Sequence, residues 1–273
     1  MTAVSFDLHG KTAIVTGGAG ILGRGFCRAL AEHGANVAVA DLGQRAVEEA
    51  VEELAAAGIP PGRLLAQVCD VTDRDSCEAM VRAVVARFGG VDVLHNNAAS
   101  KSDDLRAFFA PFEDYDLATW RKVSAVNVDG MFLVAQAVGR QMISQGWGGS
   151  IIHTSSIYGV VGPDQRIYEG SEYLGMPINT PAVYSTTKAA VIGLARYLAT
   201  YWARHGIRVN VLTPGGVESG QNDTFNRLYS ARVPLGRMAR ASELHGALLF
   251  LASDASSYVT GQNIIVDGGL TCW

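Results

Sequence analysis

Cysteine, charge and long apolar runs are all scarce in this chain of 273 residues. Its four cysteines, Cys27, Cys69, Cys77 and Cys272, show no CxxC or Cys/His spacing. That argues against a disulfide framework or a thiolate metal site and fits a reducing cytoplasm. Only 18% of the residues are charged, with a net charge of −4, so nothing invites nucleic acid or an anionic membrane surface. No apolar run approaches the length of a membrane span, and the first residues lack the basic and apolar regions of a signal peptide. A soluble, cytoplasmic protein without a metal is expected. The six histidines share no motif.

What is abundant is apolar character, at 48%, and glycine, with 31 residues. This balance suits one compact α/β domain over residues 1–273 with buried strands and tight turns. Short β-rich apolar runs at Thr12 to Thr16, Asn36 to Ala40, Leu64 to Val68, Val91 to Asn96, Ser150 to Thr154, Arg208 to Thr213 and Asn263 to Val266 alternate with helical patterns. The helical stretches are Ile21 to His33, Arg45 to Ala57, Asp75 to Arg87, Ala118 to Ser144, Val183 to Arg204 and Ser242 to Ala252. Strands joined through helical crossovers predict a Rossmann-like, doubly wound, seven-stranded parallel sheet in a three-layer α/β/α sandwich. Its ligand crevice belongs at the carboxyl ends of the strands.

The first strand runs into Thr16-Gly17-Gly18-Ala19-Gly20-Ile21-Leu22-Gly23, which then opens a helix. Glycines there permit a tight turn and close approach of the backbone to a pyrophosphate, and the helix start offers free N–H groups. The second strand ends at Asp41, 18 positions after Gly23. A carboxylate at that place accepts the ribose hydroxyls of NAD and repels a 2′-phosphate. No Arg or Lys precedes Arg24 in the loop or follows Asp41 directly, although Arg45 is close.

Further along, Tyr184 and Lys188 stand four apart where a helix begins. Positions i and i+4 share a helical face, which sets a phenol beside an ammonium. A free tyrosine has a pKa of about 10, and a neighbouring cation lowers it toward a useful acid or base.

Together these residues resemble the short-chain dehydrogenase/reductase family over essentially the whole chain. The further motifs, in order, are Cys69-Asp70-Val71, Asn96-Asn97-Ala98-Ala99, Val126-Asn127-Val128, Ser155-Ser156, Tyr184-x-x-x-Lys188 and Pro214-Gly215-Gly216-Val217. The resemblance implies that Gly17, Gly20, Ile21, Leu22 and Gly23 cradle the cofactor phosphates and that Asp70 and Val71 hold the adenine. Asn97 and Ala98 line the cofactor, and Pro214, Gly215 and Val217 meet the nicotinamide. It makes Asn127, Ser156, Tyr184 and Lys188 a catalytic tetrad. Tyr184 is then the acid or base, Lys188 lowers its pKa and bonds the nicotinamide ribose, Ser156 holds the substrate oxygen, and Asn127 positions Lys188 through a water. Ser155 is the alternative to Ser156. The family also implies a homo-oligomer, a tetramer or dimer.

Two features depart from the family pattern. The glycine loop has the spacing of the longer, epimerase-like branch, while length, the Asn-Asn-Ala segment, Pro-Gly-Gly and the ending Gly261-Gln-Asn-Ile-Ile-Val-Asp-Gly-Gly match the single-domain branch. Ser156 and Tyr184 lie 28 positions apart, 184 − 156, about twice the usual separation. Residues 160–182 therefore read as an inserted active-site loop and 217–240 as a substrate lid. Their polar and aromatic side chains suit a small polar substrate, such as a sugar, polyol or hydroxy acid, with Arg166 placed for a carboxylate and Glu169 for a hydroxyl pair. Other readings of the same residues are a 3-oxoacyl reductase, a nucleotide-sugar epimerase or dehydratase, and an NAD-binding sensor or structural subunit without turnover.

Overall fold

The computed structural model describes residues 5–173 and 175–273. Seven parallel strands form the main sheet: β1 (Thr12–Thr16), β2 (Asn36–Asp41), β3 (Leu64–Val68), β4 (Val93–Asn96), β5 (Gly149–Thr154), β8 (Ile207–Pro214) and β9 (Asn263–Val266). Their spatial order is β3-β2-β1-β4-β5-β8-β9, so the chain reverses direction across the sheet between β1 and β4. A crevice opens at such a switch point, above the carboxyl ends of the strands. Two further strands, β6 (Glu172–Tyr173) and β7 (Met176–Pro177), pair antiparallel inside the inserted loop.

Alternation along each strand sorts the core into two layers. Ile14, Ala38, Leu94, Ile151 and Val209 pack under α3 (Arg74–Phe88), α6 (Met131–Gln145) and α7 (Ala182–Tyr201). Val15, Val37, Val93, Ile152 and Leu212 pack under α1 (Ile21–Glu32), α2 (Gln44–Ala56) and α9 (His245–Ala252). The central strand β1 is buried at all five positions, whereas the edge strand β9 is buried at none. That is why central strands read as unbroken apolar runs.

Most elements fall within two residues of the expected bounds, and local chemistry explains the ends. Asp73 caps α3 by accepting from the N–H groups of Asp75 and Ser76, and Gly89 closes it at φ 88°. The expected helix over Ala118 to Ser144 is not continuous. It divides into α5 (Leu117–Ser124), a single wide π-turn over Ala125–Gly130, and α6. Gly130 lets that turn pass close to Val71, since a Cβ there would lie 2.8 Å from Val71 Cγ2. The short helices α4 (Leu105–Phe108) and α8 (Asp223–Ser230) span too few residues to show a sequence period. No helix of the described residues is long and apolar enough to cross a membrane.

Candidate active site

The turn after β1 is built from backbone in close contact. Gly17 adopts φ +63°, and a Cβ on it would come within 2.9 Å of Ala98 Cα. A Cβ on Gly23 would lie 2.0 Å from the Gly17 carbonyl oxygen, so the helix can start against the turn only if this residue is glycine. The α1 N-terminus has no side-chain cap and no acid in its first turn, and Ile21 stands 75% exposed at its mouth. Unpaired N–H groups and an open surface make a seat for an anionic phosphate.

Asp41, at the end of β2, accepts from the N–H of Ala19 at 3.1 Å and of Leu42 at 2.8 Å. These bonds fix the carboxylate beside the glycine turn and leave other lone pairs free. The two nearby cations are engaged elsewhere. Arg24 donates to the Ala19 carbonyl and pairs with Glu53, while Arg45 pairs with Glu49 on the exposed face of α2.

Asp70 holds its own turn by accepting from the N–H and hydroxyl of Thr72. Thr16, buried at the end of β1, organises the centre. It donates to Asn96 Oδ1 and accepts from the N–H groups of Asn97 and Ala98 at 3.0 and 3.1 Å, which clamps the β4 loop to the glycine turn. Thr16 is a residue whose organising role sequence reasoning missed. Its side chain bonds partners some 80 positions away, which no local pattern reveals.

Asn127 occupies the π-turn and is fully buried. Its Oδ1 accepts from the Ser100 N–H at 2.8 Å, and its Nδ2 faces the Ser100 carbonyl and Thr187 Oγ1 at 3.3 and 3.5 Å. It therefore holds the β4 loop and touches the residue next to Lys188, with no direct contact to Lys188 itself. A π-turn pushes one side chain out of the regular helical register, and here it pushes Asn127 toward the crevice.

Ser155 and Ser156 divide the work after β5. The Ser155 hydroxyl donates to the Lys188 carbonyl at 2.7 Å, fastening α7 to the sheet. That leaves Ser156, whose hydroxyl oxygen accepts from the Tyr158 N–H at 3.3 Å and takes no part in α7's tie to the sheet. Gly159 completes the approach, since a Cβ there would lie 2.6 Å from the Lys188 carbonyl carbon. Burial pushes the Tyr184 pKa up, the Ser156 hydrogen bond pulls it down, and nearby Tyr168 adds to the rise.

The expected lowering of the phenol pKa by Lys188 is not what the geometry gives. The ammonium lies over the Tyr184 ring, 5.9 Å from its centroid, and donates to the Thr154 carbonyl at 3.1 Å. Burial also brings the lysine's own pKa down to about 8.

Beyond β8, the glycines of Pro214-Gly215-Gly216 allow two close contacts. A Cβ on Gly215 would sit 2.8 Å from Asp267 Cα, and one on Gly216 would strike the Tyr229 ring at 2.6 Å. The Tyr229 hydroxyl accepts from the Gly216 N–H. Val217 bridges Ala239, so the intervening segment is a strap pinned at both ends. Arg166 and Glu169, expected to face a substrate, are exposed, and Arg166 is paired with Asp164 through two 2.8 Å hydrogen bonds. Tyr158, Tyr168 and Tyr229, not singled out from the sequence, pack instead around the apolar cluster that includes Ile157, the residue after Ser156.

Known proteins share this arrangement from end to end. A family model described as Enoyl-(Acyl carrier protein) reductase matches residues 17–271. D-threitol dehydrogenase of Mycolicibacterium smegmatis is 34% identical, covering 98% of this chain and 96% of its own. The crystal structure of a short chain dehydrogenase from Leptospira borgpetersenii with bound NAD+ is 33% identical, with a TM-score of 0.83 and coverage of 99% and 97%. The chain belongs to the short-chain dehydrogenase/reductase family. Another structure of the same kind, a gluconate 5-dehydrogenase from Burkholderia cenocepacia in complex with NADP and tartrate, is 33% identical with a TM-score of 0.86 and coverage of 99% and 98%. As a short-chain dehydrogenase/reductase, this chain is an oxidoreductase.

Proposed function

We propose that this short-chain dehydrogenase/reductase is an NAD-dependent enzyme that oxidises a secondary alcohol of a polyhydroxylated substrate, such as a polyol, sugar or hydroxy acid, or reduces the matching ketone. The observation that carries the reading is the meeting of Ser156, Tyr184 and Lys188 at the carboxyl end of β5, beside a glycine turn that side chains would fill. The turn and the open α1 N-terminus suit a dinucleotide. Gly17, Gly20, Ile21, Leu22 and Gly23 hold its phosphates, Asp41 its adenosine ribose, Asp70 and Val71 its adenine, and Asn97, Ala98, Pro214, Gly215 and Val217 the nicotinamide end. NAD+ bound there supplies the hydride acceptor.

In oxidation, Tyr184 removes the hydroxyl proton while the Ser156 hydroxyl fixes the same substrate oxygen. Lys188 contributes its positive charge and holds the nicotinamide ribose, and Asn127 keeps the β4 loop and Thr187 in place behind it. Because burial, and after it Tyr168, raise the Tyr184 pKa, the phenolate would form readily only with the Lys188 ammonium moved from the Thr154 carbonyl toward the phenol. Asp41, with Arg24 and Arg45 turned to glutamates, favours NAD over NADP. The named polyol and sugar-acid dehydrogenases support a polar substrate. A 3-oxoacyl reductase is the second reading, favoured by 37% identity to a 3-oxoacyl-[acyl-carrier-protein] reductase of Thermotoga maritima, but Asp41 disfavours the phosphorylated cofactor. Along α7 the small exposed residues Ala189, Ala190 and Gly193 suit a close helix-to-helix contact in a homotetramer or dimer, and a cytoplasmic setting fits the free cysteines.

Titration with NAD+ and NADP+, followed by NADH absorbance over a panel of polyols, sugars, hydroxy acids and long apolar alcohols, tests the proposal. The expected result is tighter binding of NAD+ and turnover of at least one polyhydroxylated alcohol. Preference for NADP+ together with long apolar alcohols would overturn it.

A further inference from the structure

The insertion packs on two sides. Against the strap, Ile167 shares an apolar cluster with Phe225 and Tyr229, and Asp164 pairs with Arg232 beyond α8. Elsewhere it borders a cleft of about 670 Å³, together with the loop between α4 and α5 and the first turns of α7. Neither Ser156 nor Tyr184 lines this cleft. Its apolar lining comes from Pro111, Phe112, Ile178 and Pro181. Among the described residues no basic side chain lines it, whereas two exposed carboxylates, Glu113 and Glu169, do. An anionic ligand would meet like charge there and no counter-ion.

Three residues of the lining carry a buried polar atom that has no hydrogen-bond partner among the described residues: Tyr115 Oη, Asn179 Oδ1 and Ser185 Oγ. They belong in turn to the loop, the insertion and α7, so no single local distortion accounts for them. A buried polar group left unpaired is costly, and such groups are few in folded proteins. Three around one cleft mark a place where another molecule supplies the missing partners. Asn179 Nδ2 donates to the Phe109 carbonyl at 2.8 Å, which fixes the amide and leaves Oδ1 as an acceptor. Burial pushes the Tyr115 pKa up, so its hydroxyl stays protonated and able to donate. The wall between them is braced, since the Gln165 side chain donates to the Thr180 carbonyl at 3.0 Å and accepts from its N–H at 3.3 Å.

Unpaired hydroxyls and an unpaired amide oxygen, set among apolar side chains and carboxylates, call for a ligand whose polar groups can each give and take a hydrogen bond. Alcohols do both, and a neutral ring bearing several of them also offers C–H faces to the apolar lining. We propose that this cleft is a second binding site, outside the catalytic residues, for a neutral polyhydroxylated molecule such as a sugar ring. The site is independent of the reaction proposed above. A ligand in it ties the loop after α4, the insertion and the start of α7 together, at the residue that follows Tyr184.

Calorimetric titration of the full chain with methyl α-D-glucopyranoside, and with tetrahydropyran as the same ring without hydroxyls, tests the site. No cofactor is added, so no turnover occurs. The glucoside is expected to bind saturably and tetrahydropyran not to bind. Tyr115→Phe and Ser185→Ala should each weaken the glucoside about tenfold, while Ser156→Ala leaves its Kd within about twofold of wild type. Without the glucoside, Tyr115→Phe should melt no lower than wild type, because the hydroxyl it removes is unpaired. Ser185→Ala decides the matter if Tyr115→Phe does not fold. No saturable binding to wild type, as a second copy of the chain closing the cleft would give, overturns the site. So does an affinity unchanged in both variants, or a loss seen only with Ser156→Ala, which would put the glucoside beside the catalytic serine. The dehydrogenase reading stands or falls separately, by NADH absorbance.

Discussion

The two halves of the crevice are built on opposite plans. On the cofactor side, from β1 to β3, the surfaces are backbone. Gly17 and Gly23 stand where a single Cβ would collide, and Asp41 is held by two main-chain N–H groups. On the substrate side, from β5 to β8, the surfaces are side chains. Ser156, Tyr168, Tyr184 and Tyr229 come from four separate segments, with the rings of Tyr168 and Tyr229 both packed against Phe225. A shared ligand is held by a rigid backbone cradle, while the variable ligand is read by side chains that loops bring together.

The contrast can be broken most severely at Tyr184. Tyr184→Phe removes the proton-transfer group from the substrate side alone. It is expected to lower kcat by roughly 10²- to 10⁴-fold with NAD+ affinity unchanged, as read by NADH absorbance and by cofactor titration. Retained turnover would sink the role assigned to this residue.

Gly23→Ala attacks the other half. The added methyl meets a carbonyl oxygen at 2.0 Å, an obstacle of main chain that cannot rotate aside. We expect a loss of about 3 kcal/mol in stability and a matching loss of NAD+ affinity, measured by denaturant unfolding and titration. Little change in either would show that the turn has more room than the geometry allows.

Acid should strike both halves at once, through the strands between them. His95 on β4 and His153 on β5 are fully buried, and burial brings their pKa values down to about 3 and about 4. An unfolded histidine titrates near 6.5, so the unfolded chain binds more protons between about pH 6.5 and pH 4. Stability is full above that window and falls as the pH drops through it. Among the described residues, neither ring nitrogen of His153 has a hydrogen-bond partner. His153→Leu should therefore recover about 2 kcal/mol of the loss at pH 5, measured as unfolding free energy against pH. An identical acid profile in variant and wild type would exclude His153 as a source.

The mildest change sharpens the comparison within the cofactor side. Asp41→Asn removes charge from the ribose reader and keeps its shape. It should weaken NAD+ and improve NADP+ so that their ratio shifts by about tenfold, roughly 1.4 kcal/mol. An unchanged ratio would place cofactor choice elsewhere.

Legibility followed the same division. The glycine turn, the strand ends and the seven parallel strands could be read because their requirements are local: a positive φ, a close approach, an apolar run. The split of the expected helix over Ala118 to Ser144 was hidden because a π-turn shifts the period by a single residue without breaking the apolar pattern. The bond from Lys188 to the Thr154 carbonyl was hidden for a related reason. Helical spacing sets which face a side chain leaves from, but the Thr154 carbonyl on β5 decides where its end goes. Ser155 and Ser156 were separated only by their partners, one on α7 and the other at the Tyr158 N–H. The insertion was visible as excess length, yet Arg166 and Glu169, chosen for their charge, are exposed, while Tyr168 packs against the cluster of Ile157, Phe225 and Tyr229.

The sequence by itself determined the fold and singled out the residues proposed for the dinucleotide cradle and for proton transfer. Those depend on periodicity, on the absence of Cβ atoms and on i to i+4 spacing, all properties of neighbours along the chain. Only the tertiary structure decided where the ammonium is held, which of the two serines is tied to α7, and how the insertion packs against the strap. Each of those turns on hydrogen bonds and ring contacts between residues tens of positions apart, where chain connectivity sets no distance and packing alone does.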